Sequence, residues 1–236
     1  MERVRRLATV AVTVAVAVAG LAGCRSAPSV AAYVGQNQIS EDRVSAVYEE
    51  ARDNAAADQE ASSTIKRQDV VDTLVGLDVM REIANQRGLS PTALNANEVA
   101  QAIGLKANAE YVRLYGEYRG LLNAFGSSAK PAEPTTADLR DVYNRLTAGG
   151  ANPNGASFEQ FSTGISAQDR QTLAQNIGLR NDLQPQIAKL NTVVNPKYGT
   201  PELPLVSTQG AGGQELPLVV LSFAPSRAAP TVVDVP

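Results

Sequence analysis

The sequence predicts a mainly α fold in which short strands from the N- and C-terminal segments pair. Three observations predict it. Apolar residues recur at helical spacing from about residue 41 to residue 190. A β-branched run, VAAYV, precedes them, and from Val193 onward the period changes to β-branched clusters broken by proline and glycine. The composition is aliphatic: 44% of the 236 residues are hydrophobic but only 5% aromatic, with no tryptophan, so the core has to rest on Leu, Val, Ile and Ala.

The chain opens with Arg3, Arg5 and Arg6, followed by the apolar run LATVAVTVAVAVAGLAG. That is the length of a secretory apolar region and short for a spanning helix with polar flanks. The small residues Ala22 and Gly23 admit a peptidase beside Cys24, the sole cysteine. Leu21-Ala22-Gly23-Cys24 resembles the lipobox of bacterial lipoproteins, whose cysteine sulfur takes a diacylglyceryl group and becomes the new N-terminus. On that resemblance residues 1–23 are a signal peptide, Cys24 is the lipidation site and residues 24–30 are a linker. The protein is then held at the extracytoplasmic face of the cell membrane by acyl chains, each buried methylene contributing about 0.8 kcal/mol. A cleaved soluble export signal with an incidental cysteine, and an uncleaved N-terminal anchor, are the alternatives. The Arg5-Arg6 pair hints at the twin-arginine route, but nothing after it resembles the rest of that signal. Fewer than ten residues separate Cys24 from the first strand. At about 3.3–3.6 Å per extended residue, the domain sits within roughly 30 Å of the bilayer.

There is no histidine. This removes the commonest general base, the commonest metal ligand and every Ser-His or Cys-His pair. With Cys24 acylated, thiolate zinc sites and disulfides go too. Acidic residues fall beside arginine, as in EEARD and DLRD, the pattern of a solvated helix surface. Removing residues 1–23 takes away three arginines and one glutamate, shifting the formal charge from −3 to −5. Such a chain has no electrostatic footprint for nucleic acid, and phosphate-cradling glycine motifs are absent. The expectation is a protein without catalytic residues, cofactor, metal or nucleic-acid partner.

Along the chain, VAAYV reads as a strand and Gly35-Gln36-Asn37-Gln38 as a tight turn. Ser40 is placed to cap a helix starting at about residue 41, with Glu41 and Asp42 in its first turn and Ile39 and Val44 as a hydrophobic staple. A second helix runs from about residue 64 to residue 86, with Gly88 as its stop. LSPTALNANEVAQAIGL reads as a turn and a short helix. A longer one follows, setting Tyr111, Leu114, Tyr115, Tyr118, Leu121, Leu122 and Phe125 at helical spacing and ending at Gly126. SSAKPAEP is a linker by composition. Thr136 can cap the next helix, GGANPNGA breaks the chain, and helical spacing then resumes to Leu190, with Pro185 expected to kink or divide it. ELPLV occurs twice, at residues 202–206 and 215–219, too few copies for a solenoid. They read as strand-like segments around a TQGAGG loop, within an extended tail over residues 201–236.

The piece AAYVGQNQISEDRVSAVYEEA resembles the opening of the SurA/PrsA-type chaperone module: a short strand, a turn and a long amphipathic helix. VVNPKYGT, residues 193–200, is similar to the late segment that returns to pair with that strand, as in actinobacterial lipoproteins with a SurA-like N-terminal domain. The resemblance implies a SurA-like helical domain over residues 31–200. Many relatives insert a parvulin prolyl-isomerase domain with active-site histidines. Here residues 131–190 are shorter, read helical and lack histidine, so no isomerase activity is implied. What is implied is the chaperone half alone, binding unfolded or extended polypeptides.

Tyr111, Tyr115 and Tyr118 share one helix face and are the candidate peptide-binding residues, since each offers an apolar ring and a hydroxyl. The same stripe equally suits packing into the core. Tyr33 and Tyr198 can pair across the two terminal strands. A cell-envelope scaffold binding one folded partner is the alternative function. A solute-binding lipoprotein fits less well, because such proteins alternate strands and helices through two lobes.

Overall fold

The computed structural model describes residues 29–56, 65–152 and 155–223. Cys24, the signal peptide, most of its linker and the last residues of the tail lie outside the described residues. Seven α-helices and two small antiparallel sheets make up the described fold.

The strand β1 (Val30–Val34) turns at Gly35, whose φ of 57° suits a residue without Cβ, into β2 (Asn37–Ser40). The turn is therefore tighter than the sequence suggested. Asn37 and Gln38 belong to an edge strand, exposed and polar, and Ile39 alone is buried. Ser40 ends β2 and caps α1 (Glu41–Asp53), its hydroxyl accepting the Arg43 N–H at 3.1 Å. Ile39 and Val44 are both buried, as a staple requires.

The helix α2 (Arg67–Arg87) stops at Gly88 in the left-handed conformation, and α3 (Ala96–Ile103) stops the same way at Gly104. The N-terminus of α4 (Glu110–Ser128) begins after Ala109, which has no capping side chain. Glu50 of α1 supplies the missing acceptor, taking the Glu110 N–H at 3.0 Å. Arg43 clamps the Glu110 carboxylate through two bonds of 2.9 and 3.0 Å. The start of α4 is thus fixed by α1.

Residues 129–135 are pinned rather than free. The Ala132 N–H donates to Ala174 O at 2.9 Å, and a Cβ on Gly178 would run into the Lys130 carbonyl oxygen. Thr135, one residue before the expected cap, forms a capping box with Asp138 at the start of α5 (Thr136–Ala148). After α6 (Phe158–Gly164), α7 (Ala167–Lys189) runs through Pro185 undivided. Leu183 and Ile187, on either side of the proline, are both buried in the main core, and that burial offsets the lost hydrogen bond. Arg87 ties α2 to α7 through Asp182 at 2.7 and 3.0 Å.

The chain then returns to its beginning. β3 (Val193–Val194) pairs antiparallel with β1, Ala32 opposite Val194 and Tyr33 opposite Val193, making β1 the central strand of the order β2-β1-β3. Asn195 donates twice more to this strand, from its N–H to Ala31 O at 2.8 Å and from its side chain to Val30 O at 3.1 Å. Tyr198, in a short 3-10 turn (Pro196–Tyr198), donates its hydroxyl to Glu41 at 2.8 Å, and in the strand register Tyr33 stands opposite Val193. Lys197 pairs with the same carboxylate oxygen at 2.8 Å.

The two ELPLV copies form a hairpin, β4 (Glu202–Gln209) and β5 (Glu215–Ser222). It is no tail: Leu203, Leu221 and Phe223 enter the main core and Val219 a second one. The register maps each copy onto the other. Val206 faces its counterpart Val219, and Pro204 faces Val220 as Pro217 faces Ser207. The ladder slips beside Leu205 and again beside Leu218, the residue after proline in each copy. Proline has no N–H to extend a ladder, and a bulge follows it in each copy.

The main core is built from β1, β2, α1 to α4, the second half of α7 and the hairpin. The second core is smaller, with Leu139, Val142, Leu173, Ile177 and Val219 as its buried members.

Candidate functional site

Three of the hollows around these cores bear on function. The largest of these three, about 700 Å³, lies where the 91–96 segment crosses α4 and is lined by Leu94, Val99 and Val112 beside Glu50, Arg113 and Glu117. The second is a groove of about 540 Å³ between α5, α6, α7 and the hairpin. Val142, Leu146, Phe161, Ile165, Leu173 and Leu218 give it an apolar lining. Phe161 is fixed there by Tyr143, whose ring centroid is 5.7 Å away and whose hydroxyl is anchored on Ala156 O at 2.9 Å. The hairpin supplies one wall through Val206 and Leu218.

The third hollow, about 260 Å³, contains the predicted tyrosines. Tyr111 and Tyr118 are buried in the main core, while Tyr115 is half-buried between them, its ring centroid 6.1 Å from Tyr111 and 6.2 Å from Tyr118. Core packing therefore accounts for two of the three rings. Tyr111 shares a 3.0 Å hydrogen bond with Thr73, and its hydroxyl also donates to Asp69 O at 3.3 Å. Burial pushes the Tyr111 and Tyr118 hydroxyls well above the ordinary tyrosine range. The Tyr118 hydroxyl is buried with no partner among the described residues, an omission that costs about 1–3 kcal/mol.

Opposite the rings, α2 presents Asp69, Asp72 and Thr73, spaced so that all three share one helix face. Burial raises Asp72 to about 7, the Gln68 hydrogen bond at 2.7 Å pulls the other way, and the neighbouring Asp69 charge adds to the rise. No local sequence signal marks this. Asp69 and Asp72 look like ordinary solvated carboxylates, and their tyrosine partners lie some forty residues away. Phe161 and Leu218, which line the groove, were likewise visible only as members of separate apolar stretches.

Among the described residues no group of three or more His, Cys, Asp or Glu is placed to hold a metal ion, and no helix is long and apolar enough to cross a membrane. Comparison with protein-family models, with curated proteins and with solved structures finds no match.

Proposed function

We propose that the protein is a membrane-anchored extracytoplasmic lipoprotein that binds non-native or extended polypeptides, a SurA-like chaperone half without isomerase activity. The observation that carries this reading is the apolar groove between α5, α6, α7 and the hairpin. Holding an extended segment needs apolar surface that is adaptable rather than shaped to one ligand. The groove is walled by partly buried side chains around a small core, which leaves them room to adjust. The return of β3 to β1 supports the kinship from a second direction, since it is the closure the family resemblance implies.

The test uses the full chain in lipid nanodiscs and a denatured client. Wild type slows client aggregation, and Phe161→Asp with Leu218→Asp, which place charge in the groove, abolish the effect while the helical circular dichroism is retained. Unchanged aggregation with wild type defeats the reading. Cys24→Ala releases the chain from membranes, and membrane retention of that variant defeats the lipid anchor.

The adaptor reading draws on the other half of the molecule. The α1–α4 body is filled by its own side chains, Tyr111 and Tyr118 included, which is the condition for a solid docking block. It predicts one stoichiometric partner in a membrane pull-down and no effect on denatured clients.

A further inference from the structure

The cleft between α2 and α4 is rich in acceptors and poor in donors. Asp69 and Asp72 face it from α2, Glu202 from β4 and Glu215 from β5, with Tyr111, Tyr115, Tyr118 and Arg119 from α4. Two of these carboxylates are already engaged: Glu202 by Arg145 at 3.1 Å, and one oxygen of Asp69 by the Lys66 N–H at 2.7 Å. Asp72 is different. Its partner among the described residues is the neutral Gln68 amide, and no lysine or arginine there pairs with it. Arg119 lines the same cleft without forming an ion pair among the described residues.

An independent sign comes from Tyr118. The residue is only 4% exposed, its hydroxyl is unpartnered among the described residues, and it lines the cleft together with Asp72, Arg119 and the neighbouring rings of Tyr111 and Tyr115. A phenol oxygen accepts as well as donates, whereas an ammonium or guanidinium group only donates. Aromatic faces attract such cations, and ring walls suit their apolar stems. At about 260 Å³ the cleft is below the size of small-molecule pockets and matches a single side chain.

We infer that this cleft is a pocket for a cationic head on an apolar stem, seated against Asp72, walled by the tyrosine rings and donating to the Tyr118 oxygen. Resting on the polypeptide-binding reading above, the occupant is a lysine or arginine side chain of the bound chain. A short alkylamine carries the same head, and the experiment separates the two sources.

The full chain in lipid nanodiscs, with ring-labelled tyrosine, is titrated with a capped peptide carrying one central lysine, with its norleucine counterpart, and with n-butylamine. Tyrosine NMR reports the site and calorimetry the affinity. The lysine peptide is expected to bind at least about tenfold tighter than the norleucine peptide, the fold-change of one charge-assisted hydrogen bond. It should also shift the Tyr115 and Tyr118 rings. Asp72→Asn should erase the ratio, Tyr118→Phe should reduce it, and Arg119→Gln should increase it. Lowering the pH from 8 to 5 protonates Asp72 and should also erase the ratio. Equal affinity of the two peptides overturns the pocket while leaving polypeptide binding intact. Ring shifts with butylamine but no binding of either peptide uphold the pocket and defeat the polypeptide reading. No response to any of the three probes overturns the pocket outright.

Discussion

The two cores solve opposite problems. The main one, around α2 and α4, is densely packed: Phe125, Met80, Leu77 and Ile83 are fully buried, and its helices are tied by bidentate arginine pairs, Arg43 to Glu110, Arg81 to Glu117 and Arg87 to Asp182. The second, around α5, α6 and the hairpin, has five buried members and a fringe of partly buried rings facing a groove. One region maximises packing and the other leaves apolar surface within reach of solvent. The contrast teaches where an extended chain has room to lie, because the interior of the main core is already packed against itself.

The sharpest way to break this comparison is to truncate one side chain in each core. Phe125→Ala should cost about 3–5 kcal/mol, whereas Leu173→Ala, at the groove, should cost about 2 kcal/mol because its surroundings can relax or admit water. Chemical denaturation of both variants measures the pair; equal losses would mean that the two cores do not differ. Gly120→Ala comes next. Helix propensity alone would favour alanine, but a Cβ there would run into the Thr92 carbonyl oxygen, which lies close because the Thr92 N–H donates to Gly120 O at 3.0 Å. The substitution should destabilise by about 1–3 kcal/mol. A gain in melting temperature would show that the 91–96 segment yields freely.

Asp72 gives a smaller effect with a definite sign. Its folded value, about 7, stands above its ordinary 3.8, so the folded state holds the proton more tightly and stability falls as pH rises from about 4 to about 7. Asp72→Asn removes that slope. Allowing for partial exposure to solvent, it should raise the melting temperature at pH 8 by about 2–4 °C, the equivalent of about 1 kcal/mol in a chain of this size. A scan at pH 8 and pH 4 checks it, the variant gaining only at the higher value. Last, Asp182→Asn should cost under about 1 kcal/mol and lose most of that cost in high salt, since both partners are partly exposed. A loss that persists in high salt would place this tie among the packing interactions.

Much of the helical plan was legible because its signals are local. Ser40 and Gly88 mark helix ends with their own chemistry, and the 3.6-residue stripes needed no partner to be seen. The late VVNPKYGT segment was legible only through its resemblance, and β3 lies where that resemblance put it. What escaped was whatever depends on two distant stretches. The run of α7 through Pro185 is licensed by burial of Leu183 and Ile187, and the end of α4 at Ser128 rather than Gly126 by the docking of the next segment on α7. The site divides the same way: the tyrosine stripe was readable from spacing, but the carboxylates facing it come from α2 and looked like solvent-facing charge.

The closure of β3 on β1 has a consequence for how the chain comes into being. β1 lies near the start of the sequence, yet one of its edges is filled only by residues some 160 positions later. A polypeptide that emerges N-terminus first must wait with that edge unsatisfied until almost all of it has appeared. Such long-range pairing is slow to form, so this closure and the hairpin that follows it, not the helices, set the moment at which the newborn molecule is complete.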